Sequence, residues 1–402
     1  MHMKTVLILL VLALATVFAL VCVLLTRGRA PSTCQHQPLH REDTDDGQSL
    51  VFADLTPEEL AQVVRYLQGN LGVPLVDASR ARPSDNCVAS VDVQVPAKAE
   101  NVSGFFVHPV GLEVLVDHSS LDISQWAVSR VFYNGQYYRD LAHLESTYVQ
   151  GQVSVEKVRR APQDGDFSSM KPRAPPAALF PVQYEPQGPR YSVRNNHVLF
   201  QAWSFAFGMS VNTGLRLFDI RHRGERVAYE ISVQEALSVY GSNCPGGMST
   251  RYMDGSFGIG RYTSPLVRGV DCPYSATYLD VHHLAHSLVS RTSKSALCIF
   301  EQNLGSPLRR HYSNLQSLYY GGLVNSALVV RSITTVGNYD YVWDFIFYQN
   351  GAIEGKVQAT GYLTSSFLHG DGLRYGNRVW EHTLGTIHTH SINYKVDLDV
   401  GG

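Results

Sequence analysis

Two histidines near the end of the sequence have the spacing of a metal-binding pair. His388 and His390 are separated by one residue, in a segment that contains several β-branched residues. In an extended strand, residues two apart point to the same face, so both imidazoles are expected on one side. Neutral imidazoles placed in this way suit copper or zinc. Since most His-x-His pairs bind no metal, a metal site needs a second signal.

The second signal is a tyrosine between two apolar runs. Asn338-Tyr339-Asp340 lies between the apolar segments 328–333 and 342–347, a pattern that predicts Tyr339 in a buried strand. On its own, such a tyrosine is usually a packing residue whose hydroxyl finds a partner. Taken with the downstream His-x-His pair, however, the motif resembles that of the copper amine oxidases, in particular the vertebrate membrane-bound and retina-type members.

The resemblance implies a cofactor that the protein makes itself. Copper bound by His388 and His390 would oxidise Tyr339, which follows Asn338, to topaquinone. The quinone carbonyl would form a Schiff base with a primary amine, and dioxygen would reoxidise the cofactor. The products would be an aldehyde, ammonia and hydrogen peroxide, with the redox chemistry carried by the cofactor.

A carboxylate upstream matches the base of that family. Asp254 follows Tyr252-Met253 and precedes a glycine-rich turn. To take the α-proton of the amine, it needs a pKa raised by apolar surroundings. Without the resemblance, Asp254-Gly255 is at least as typical of a hairpin turn.

The resemblance also implies residues that line the substrate channel. Tyr240 matches a tyrosine that hydrogen-bonds the quinone, although alone it is an ordinary amphipathic tyrosine. Gly337, Tyr252 and Phe257 match gate positions, and glycine at 337 would leave the channel open to larger aromatic amines. The alternative for Gly337 is a bulge or a close backbone approach in a strand.

Two further features rest on the same resemblance. Asp397, Leu398 and Asp399 match part of a calcium site, with the oxygen ligands that calcium prefers. By themselves they would form a solvated strand face. Spacing alone cannot pair the six cysteines, but Cys272 and Cys298 match the disulfide of the catalytic domain.

The predicted fold is α+β small domains followed by a mostly β catalytic sandwich. Residues 51–99 and 100–160 are expected to form the two small domains, and the resemblance implies that the first is cut short near residue 98. Residues 161–189 are expected to form a proline-rich linker, and residues 190–402 the N-terminal part of the sandwich. Thr56, Pro57 and Glu59 predict a helix start with a capping box, and Gly69 its end. Asn134-Gly135 predicts a type I′ hairpin turn.

The N-terminal run 5–25 is uncharged, and as a helix it would be about 32 Å long, enough to span a hydrocarbon core of about 30 Å. We expect residues 1–27 to include a single membrane anchor and residues 28–50 to form a stalk. The flanking charges mildly favour the opposite topology, but the resemblance implies a type II orientation with the catalytic part outside. The sequon at Asn101 fits that orientation.

Composition and family together limit the partners. The chain is 44% hydrophobic and 17% charged with a net charge of −2, and it has no basic stripe, so nucleic-acid binding is not expected. The resemblance implies a homodimer that acts on a primary amine and dioxygen.

The third copper-binding histidine of the family has no match in this sequence. The remaining histidines, His282, His283, His286, His311 and His382 among them, do not occupy its motif. Two hypotheses therefore stay open. The chain is a shortened primary-amine oxidase, or it is a membrane-anchored, inactive remnant that forms no quinone and produces no peroxide from amines.

Overall fold

The computed structural model describes residues 53–70, 88–92, 105–107, 109, 111–117, 123–125, 127–156, 182–284, 290–313 and 319–399. The predicted anchor and stalk, the Asn101 sequon and most of the proline-rich linker lie outside the described residues. Within these ranges, no helix is long and apolar enough to cross a membrane.

The N-terminal part contains helices α1 and α2 and one antiparallel sheet. Helix α1 is Pro57–Asn70 and α2 is Leu141–Val149. The backbone N–H of Glu59 donates to Thr56 Oγ1 at 3.2 Å and that of Thr56 donates to the Glu59 carboxylate at 2.8 Å, which confirms the capping box. The expected end at Gly69 is wrong by one residue, a usual difference because helix ends fray.

The sheet of this part has the order β1-β2-β3-β4. Its strands are β1 (Val88–Asp92), β2 (Leu112–Asp117), β3 (Ala127–Tyr133) and β4 (Gln136–Tyr138). Asn134 and Gly135 join β3 to β4 with φ of 42° and 84°. Positive φ at both positions is what a type I′ turn requires, so this turn prediction is confirmed.

The largest sheet of the described residues, the first sandwich sheet, has the order β10-β9-β8-β7-β6-β5, with β19 also paired to β9. Since β8 and β10 pair with separate parts of β9, while β19 runs along both parts, β19 occupies the other edge of β9. The strands are β5 (Tyr191–Arg194), β6 (His197–Phe200), β7 (Trp203–Ser210), β8 (Gly214–His222), β9 (Glu225–Tyr240), β10 (Arg251–Met253) and β19 (His388–Leu398). Two short helices, α3 (Pro245–Ser249) and α4 (Asp254–Phe257), flank β10.

The second sandwich sheet has the order β11-β12-β13-β14-β15, and a smaller one has the order β16-β18-β17. Their strands are β11 (Thr277–His283), β12 (Arg291–Arg309), β13 (Leu323–Val336), β14 (Tyr339–Tyr348), β15 (Ile353–Gly361), β16 (Ser366–Phe367), β17 (Gly376–Trp380) and β18 (Thr383–Thr386). Cys298 of β12 forms a disulfide with Cys272, which precedes β11.

Apolar side chains between the two sandwich sheets form the main core. Phe205 of β7 stacks on Phe347 of β14, with ring centroids 4.2 Å apart. The indole N–H of Trp203 donates to the Tyr348 carbonyl oxygen at 2.8 Å, so its polar atom is satisfied where the ring is buried. The contacts of Trp203 and Phe205 hold β14 of the second sandwich sheet against β7 of the first. The candidate site lies between the same two sheets.

Candidate active site

The register between β9 and β19 places both histidines of the pair on one face. His388 lies opposite Tyr240 and His390 lies opposite Ser238. The ring of His388 stacks on Tyr240 at 4.6 Å between centroids, and the two imidazoles are 5.1 Å apart. The alternation of the strand therefore places the imidazoles side by side, as the sequence predicts.

Tyr339 reaches this face from the second sandwich sheet. It is the first residue of β14, directly after the turn Gly337-Asn338. The Asn338 side chain is buried and donates to the Tyr362 carbonyl oxygen at 2.5 Å, while the Tyr362 N–H donates to the Asn338 carbonyl oxygen at 2.9 Å. Asn338 thus holds the turn that positions Tyr339.

The hydroxyl of Tyr339 joins Tyr240 to His388. Tyr240 donates to the Tyr339 oxygen at 2.7 Å, and the Tyr339 hydroxyl lies 2.5 Å from His388 Nε2. His388 Nδ1 is 2.9 Å from the Thr386 carbonyl oxygen, which only accepts. Nδ1 therefore carries the proton, and the lone pair of His388 is on Nε2.

Two residues that sequence reasoning missed complete the face. The hydroxyl oxygens of Tyr341 and Ser238 are within hydrogen-bond distance of His390 Nδ1, at 2.8 Å and 3.0 Å. Tyr341 is two residues from Tyr339, and Ser238 is two residues from Tyr240. Since alternate residues of a strand share a face, strand alternation would have identified both. Burial raises the pKa of Tyr240, Tyr339 and Tyr341, so these phenols are protonated at neutral pH.

Asp254 brings a carboxylate to the same site. It is the first residue of α4, and its carbonyl oxygen accepts from the Gly258 N–H at 2.9 Å. The hairpin-turn alternative is therefore wrong. The residue is 4% exposed. Burial raises the pKa of Asp254 to about 6, with an opposing decrease from the Tyr341 hydroxyl and a further increase from the nearby Glu235.

Glu235 is a further residue that the sequence did not single out. One of its carboxylate oxygens accepts from the backbone N–H of Gly255 at 2.6 Å and of Ala236 at 2.9 Å. A Cβ at Gly255 would lie 2.8 Å from the other oxygen, so a larger residue there would require the Glu235 carboxylate to shift. Glu235 thus fixes the start of α4 and places a second negative charge near Asp254.

The three predicted gate residues lie in two places. Tyr252 and Phe257 are neighbours, with ring centroids 6.4 Å apart, and Tyr252 lies 5.8 Å from Tyr240. Gly337 has φ of +60° in the β13–β14 turn, where a Cβ would meet the ring of Phe106 at 3.8 Å. Gly337 is thus a turn residue with positive φ, which explains a glycine better than a bulge within a strand.

The donor atoms fit copper in part. His388 has a lone pair on Nε2, and burial lowers the pKa of His390, which favours a neutral imidazole. Two neutral imidazoles on one face are suitable copper ligands. No group of three or more His, Cys, Asp or Glu residues that could hold a metal occurs in the described part of the chain. His388 and His390 could therefore supply two ligands of a set that needs at least one more.

The predicted calcium residues have protein partners. Asp399 pairs with the guanidinium of Arg226, and Asp397 lies 3.7 Å from the Lys395 ammonium. The side chain of Leu398, between them, is exposed. Calcium at these residues stays a prediction.

Two sequence profiles of known domains match this chain. The one described as "Copper amine oxidase, enzyme domain" matches residues 192–402, and the one described as "Copper amine oxidase, N3 domain" matches residues 90–151. The first match includes every strand of the two sandwich sheets except the first residue of β5. The second includes most of the N-terminal sheet β1–β4.

Full-length relatives show the same similarity. Amine oxidase (copper-containing) 3 of Rattus norvegicus is 42% identical over 535 aligned positions, covering 100% of this chain and 70% of the relative. Amine oxidase (copper-containing) 2 of Homo sapiens is 40% identical, again over 100% of this chain and 70% of the relative. Since this chain has 402 residues, the longer alignment contains gaps opposite segments of the relatives.

Solved structures agree with the fold. The lysyl oxidase of Pichia pastoris matches with a TM-score of 0.70 and 29% identity over 84% of this chain, and the amine oxidase of Aspergillus nidulans with 0.69 and 27% over 89%. The chain spans about half the length of these structures, 47% and 49%.

Proposed function

Because this chain belongs to the copper amine oxidase family, we propose that its site oxidises primary amines with dioxygen to aldehyde, ammonia and hydrogen peroxide. The observation that carries the proposal is the position of the Tyr339 hydroxyl, 2.5 Å from His388 Nε2. A phenol in contact with an imidazole that would hold the metal supports the proposal that this tyrosine is the cofactor precursor. When bound, copper and the quinone derived from Tyr339 would carry electrons from the amine to dioxygen.

The residues of the chain have three tasks in this proposal. His388 and His390 hold the metal, together with at least one ligand beyond the described residues. Tyr240 donates to the oxygen of Tyr339 and, by stacking on His388, fixes the relative position of the two groups. This packing keeps the reactive ring in one orientation, which is the main contribution a protein makes to cofactor chemistry.

Asp254 is the proposed base. Its carboxylate takes the proton from the α-carbon of the amine, a transfer that typically contributes about 10²–10⁴-fold to the rate. A pKa of about 6 leaves the group ionised at neutral pH yet more basic than an exposed aspartate. Burial and the charge of Glu235 are the physical causes of that basicity.

The expectations on location and assembly belong to the same proposal. We propose a type II membrane anchor within residues 1–27, a glycosylated Asn101 and a homodimer, as the family resemblance implies. Tyr252 and Phe257 are proposed to line the approach to Tyr240, near which they lie. Gly337 is proposed to leave room for bulky amines.

A second candidate function is an inactive member of the family. The observation that favours it is the incomplete ligand set, since the described residues bring only two imidazoles together at this site. Such a chain would bind copper weakly and leave Tyr339 as an unmodified phenol.

One experiment distinguishes the two functions. The full chain is incubated with Cu²⁺ in air and then treated with phenylhydrazine, which forms a coloured adduct with a quinone carbonyl. The amine oxidase function predicts an adduct, peroxide formation from benzylamine that semicarbazide blocks, and neither in Tyr339→Phe. A folded chain with no adduct and no peroxide would establish the inactive member instead.

A further inference from the structure

We propose that Glu113 of the N-terminal sheet is a positioning residue for the candidate active site. It holds helix α3, and α3 in turn holds Tyr240 where its hydroxyl meets Tyr339. The inference rests on the proposed function in so far as Tyr240 orients the cofactor ring. It goes beyond that function because it assigns a task in the site to a residue of another sheet.

Glu113 supplies a cap that the sequence around α3 lacks. Helix α3 follows Cys244, whose side chain makes no capping hydrogen bond, and it begins with Pro245, which has no N–H. The carboxylate of Glu113, on β2, accepts from the backbone N–H of Gly246 at 2.7 Å. The first N–H groups of a helix have no partner within it, and a carboxylate is a strong acceptor for them. A residue 133 positions earlier in the chain therefore satisfies the start of α3.

Apolar packing surrounds this contact. Phe132 of β3, Cys244 and Phe367 of β16 form one buried cluster. A Cβ at Gly111, the residue before β2, would lie 2.9 Å from the Phe367 ring, so the sheet and the ring are in close contact. The N-terminal sheet thus packs against the start of α3, and the half-buried Glu113 lies within that interface.

The other end of α3 is tied to the backbone of Tyr240. Thr250 follows the helix, and its carbonyl oxygen accepts from the Tyr240 N–H at 3.3 Å. One guanidinium nitrogen of Arg251 is within hydrogen-bond distance of the carbonyl oxygens of Thr250, Met248 and Tyr240, at 2.7, 3.1 and 3.3 Å. Arg251 therefore joins the last turn of the helix to Tyr240.

The middle of α3 packs on the segment that follows Tyr240. A Cβ at Gly247 would lie 2.4 Å from the Ser242 Cβ, so no space separates the helix from Ser242. The Ser242 hydroxyl oxygen accepts from the Cys244 N–H at 3.1 Å and lies 2.7 Å from the Ser366 hydroxyl oxygen. Since Ser242 is only two residues after Tyr240, a displacement of α3 would also displace the chain at Tyr240.

Tyr240 is thus held from two directions. On one side it pairs with His388 of β19, and its ring stacks on that imidazole. On the other side its backbone is bound to the end of α3. Its hydroxyl donates to Tyr339 at 2.7 Å. Without Glu113 the second support would be a helix with an unsatisfied start, so the position of the Tyr240 hydroxyl should become less well defined.

The first test uses the full, metal-free chain and measures hydrogen exchange of backbone amides. In Glu113→Ala, exchange at Gly246 and Tyr240 should be about 5-fold faster, with no change at Val330, which is buried on β13. Glu113→Gln keeps an acceptor, so its effect at both amides should be smaller. Glu145→Ala is the matched control, because it removes an exposed carboxylate of α2 and should change none of the three amides.

Three outcomes of this exchange experiment overturn the proposal. One is an unchanged Gly246, and another is faster exchange at Gly246 without faster exchange at Tyr240. The third is equally faster exchange at all three amides, which would mean that Glu113 contributes only to overall stability.

The second test asks whether Glu113 acts through the Tyr240 hydroxyl. The chain is incubated with Cu²⁺ in air, and the rate of phenylhydrazine adduct formation is measured for Glu113→Ala, Tyr240→Phe and the double variant. Glu113→Ala should slow adduct formation about 3–10-fold when Tyr240 is present and have no further effect in Tyr240→Phe. Glu113→Gln should restore most of the rate. Independent, multiplicative effects of the two substitutions overturn the proposal.

The two tests separate this inference from the proposed function. If the unmodified chain forms no quinone, the proposed oxidase function fails, while hydrogen exchange at Tyr240 still decides the task of Glu113. If the quinone forms and Glu113→Ala leaves exchange at Tyr240 unchanged, the oxidase function stands and the inference fails.

Discussion

Replacing Asp254 by asparagine should stabilise the folded protein while it removes the proposed base. The carboxyl is 4% exposed, and its pKa rises from the usual 3.8 to about 6, mainly through burial. The folded protein therefore holds the proton more tightly than the unfolded chain does. Stability declines as the pH rises from about 4 to about 6, and above pH 6 the ionised group lowers the free energy of unfolding by about 3 kcal/mol.

An amide of the same shape does not ionise, so it avoids this cost. The amide also weakens the favourable interaction of this group with the Tyr341 hydroxyl, a loss of about 1 kcal/mol. At pH 8 the net gain of Asp254→Asn should be about 2 kcal/mol. At pH 5 the wild-type carboxyl is mostly protonated and the cost is about half as large, so the gain should fall to about 0.5 kcal/mol.

Urea unfolding of both proteins at pH 8 and pH 5 measures these free energies. Asp371→Asn is the matched control, since Asp371 is 86% exposed and lies 3.9 Å from Arg374 in a solvated ion pair. That variant should differ little from the wild type at either pH. The reasoning is refuted if Asp254→Asn is no more stable at pH 8, or if its effect is the same at the two pH values.

Three further predictions concern the site. They apply if the unmodified chain forms the quinone. Tyr339→Phe should abolish the phenylhydrazine adduct while Cu²⁺ stays bound, because the imidazoles are intact; an adduct in this variant would contradict the assignment of Tyr339. Glu235→Gln keeps an acceptor for the Gly255 N–H but removes the charge that raises the pKa of Asp254. The acid limb of the pH profile of kcat/KM, expected near pH 6, should therefore move to lower pH. An unchanged limb would mean that the Glu235 charge does not act on the base. Gly337→Leu should reduce activity on phenethylamine more than on methylamine, whereas Gly337→Asn, which tolerates positive φ better, serves as the control for backbone strain.

Local patterns were sufficient for the secondary structure that carries the site. The alternation of strand residues placed His388 and His390 on one face, and the structure has them 5.1 Å apart. The capping box at Thr56 and the turn at Asn134 were likewise predicted, because a cap or a two-residue turn depends on atoms only a few residues apart. The limits of such reasoning are visible at Asp254, where the local pattern allowed a hairpin turn and the chain forms a helical turn instead.

The sequence by itself therefore determined the strands that carry Tyr339 and the two histidines, the common face of those histidines and the motif that identifies the family. Only the tertiary structure decided that Tyr341 lies against His390 and that Glu235 holds the start of α4. These contacts depend on the register of β19 against β9 and on the packing of β14 across the core, between residues far apart in the chain. No local pattern encodes such a register, because it is set by how two whole sheets bury their apolar faces against each other.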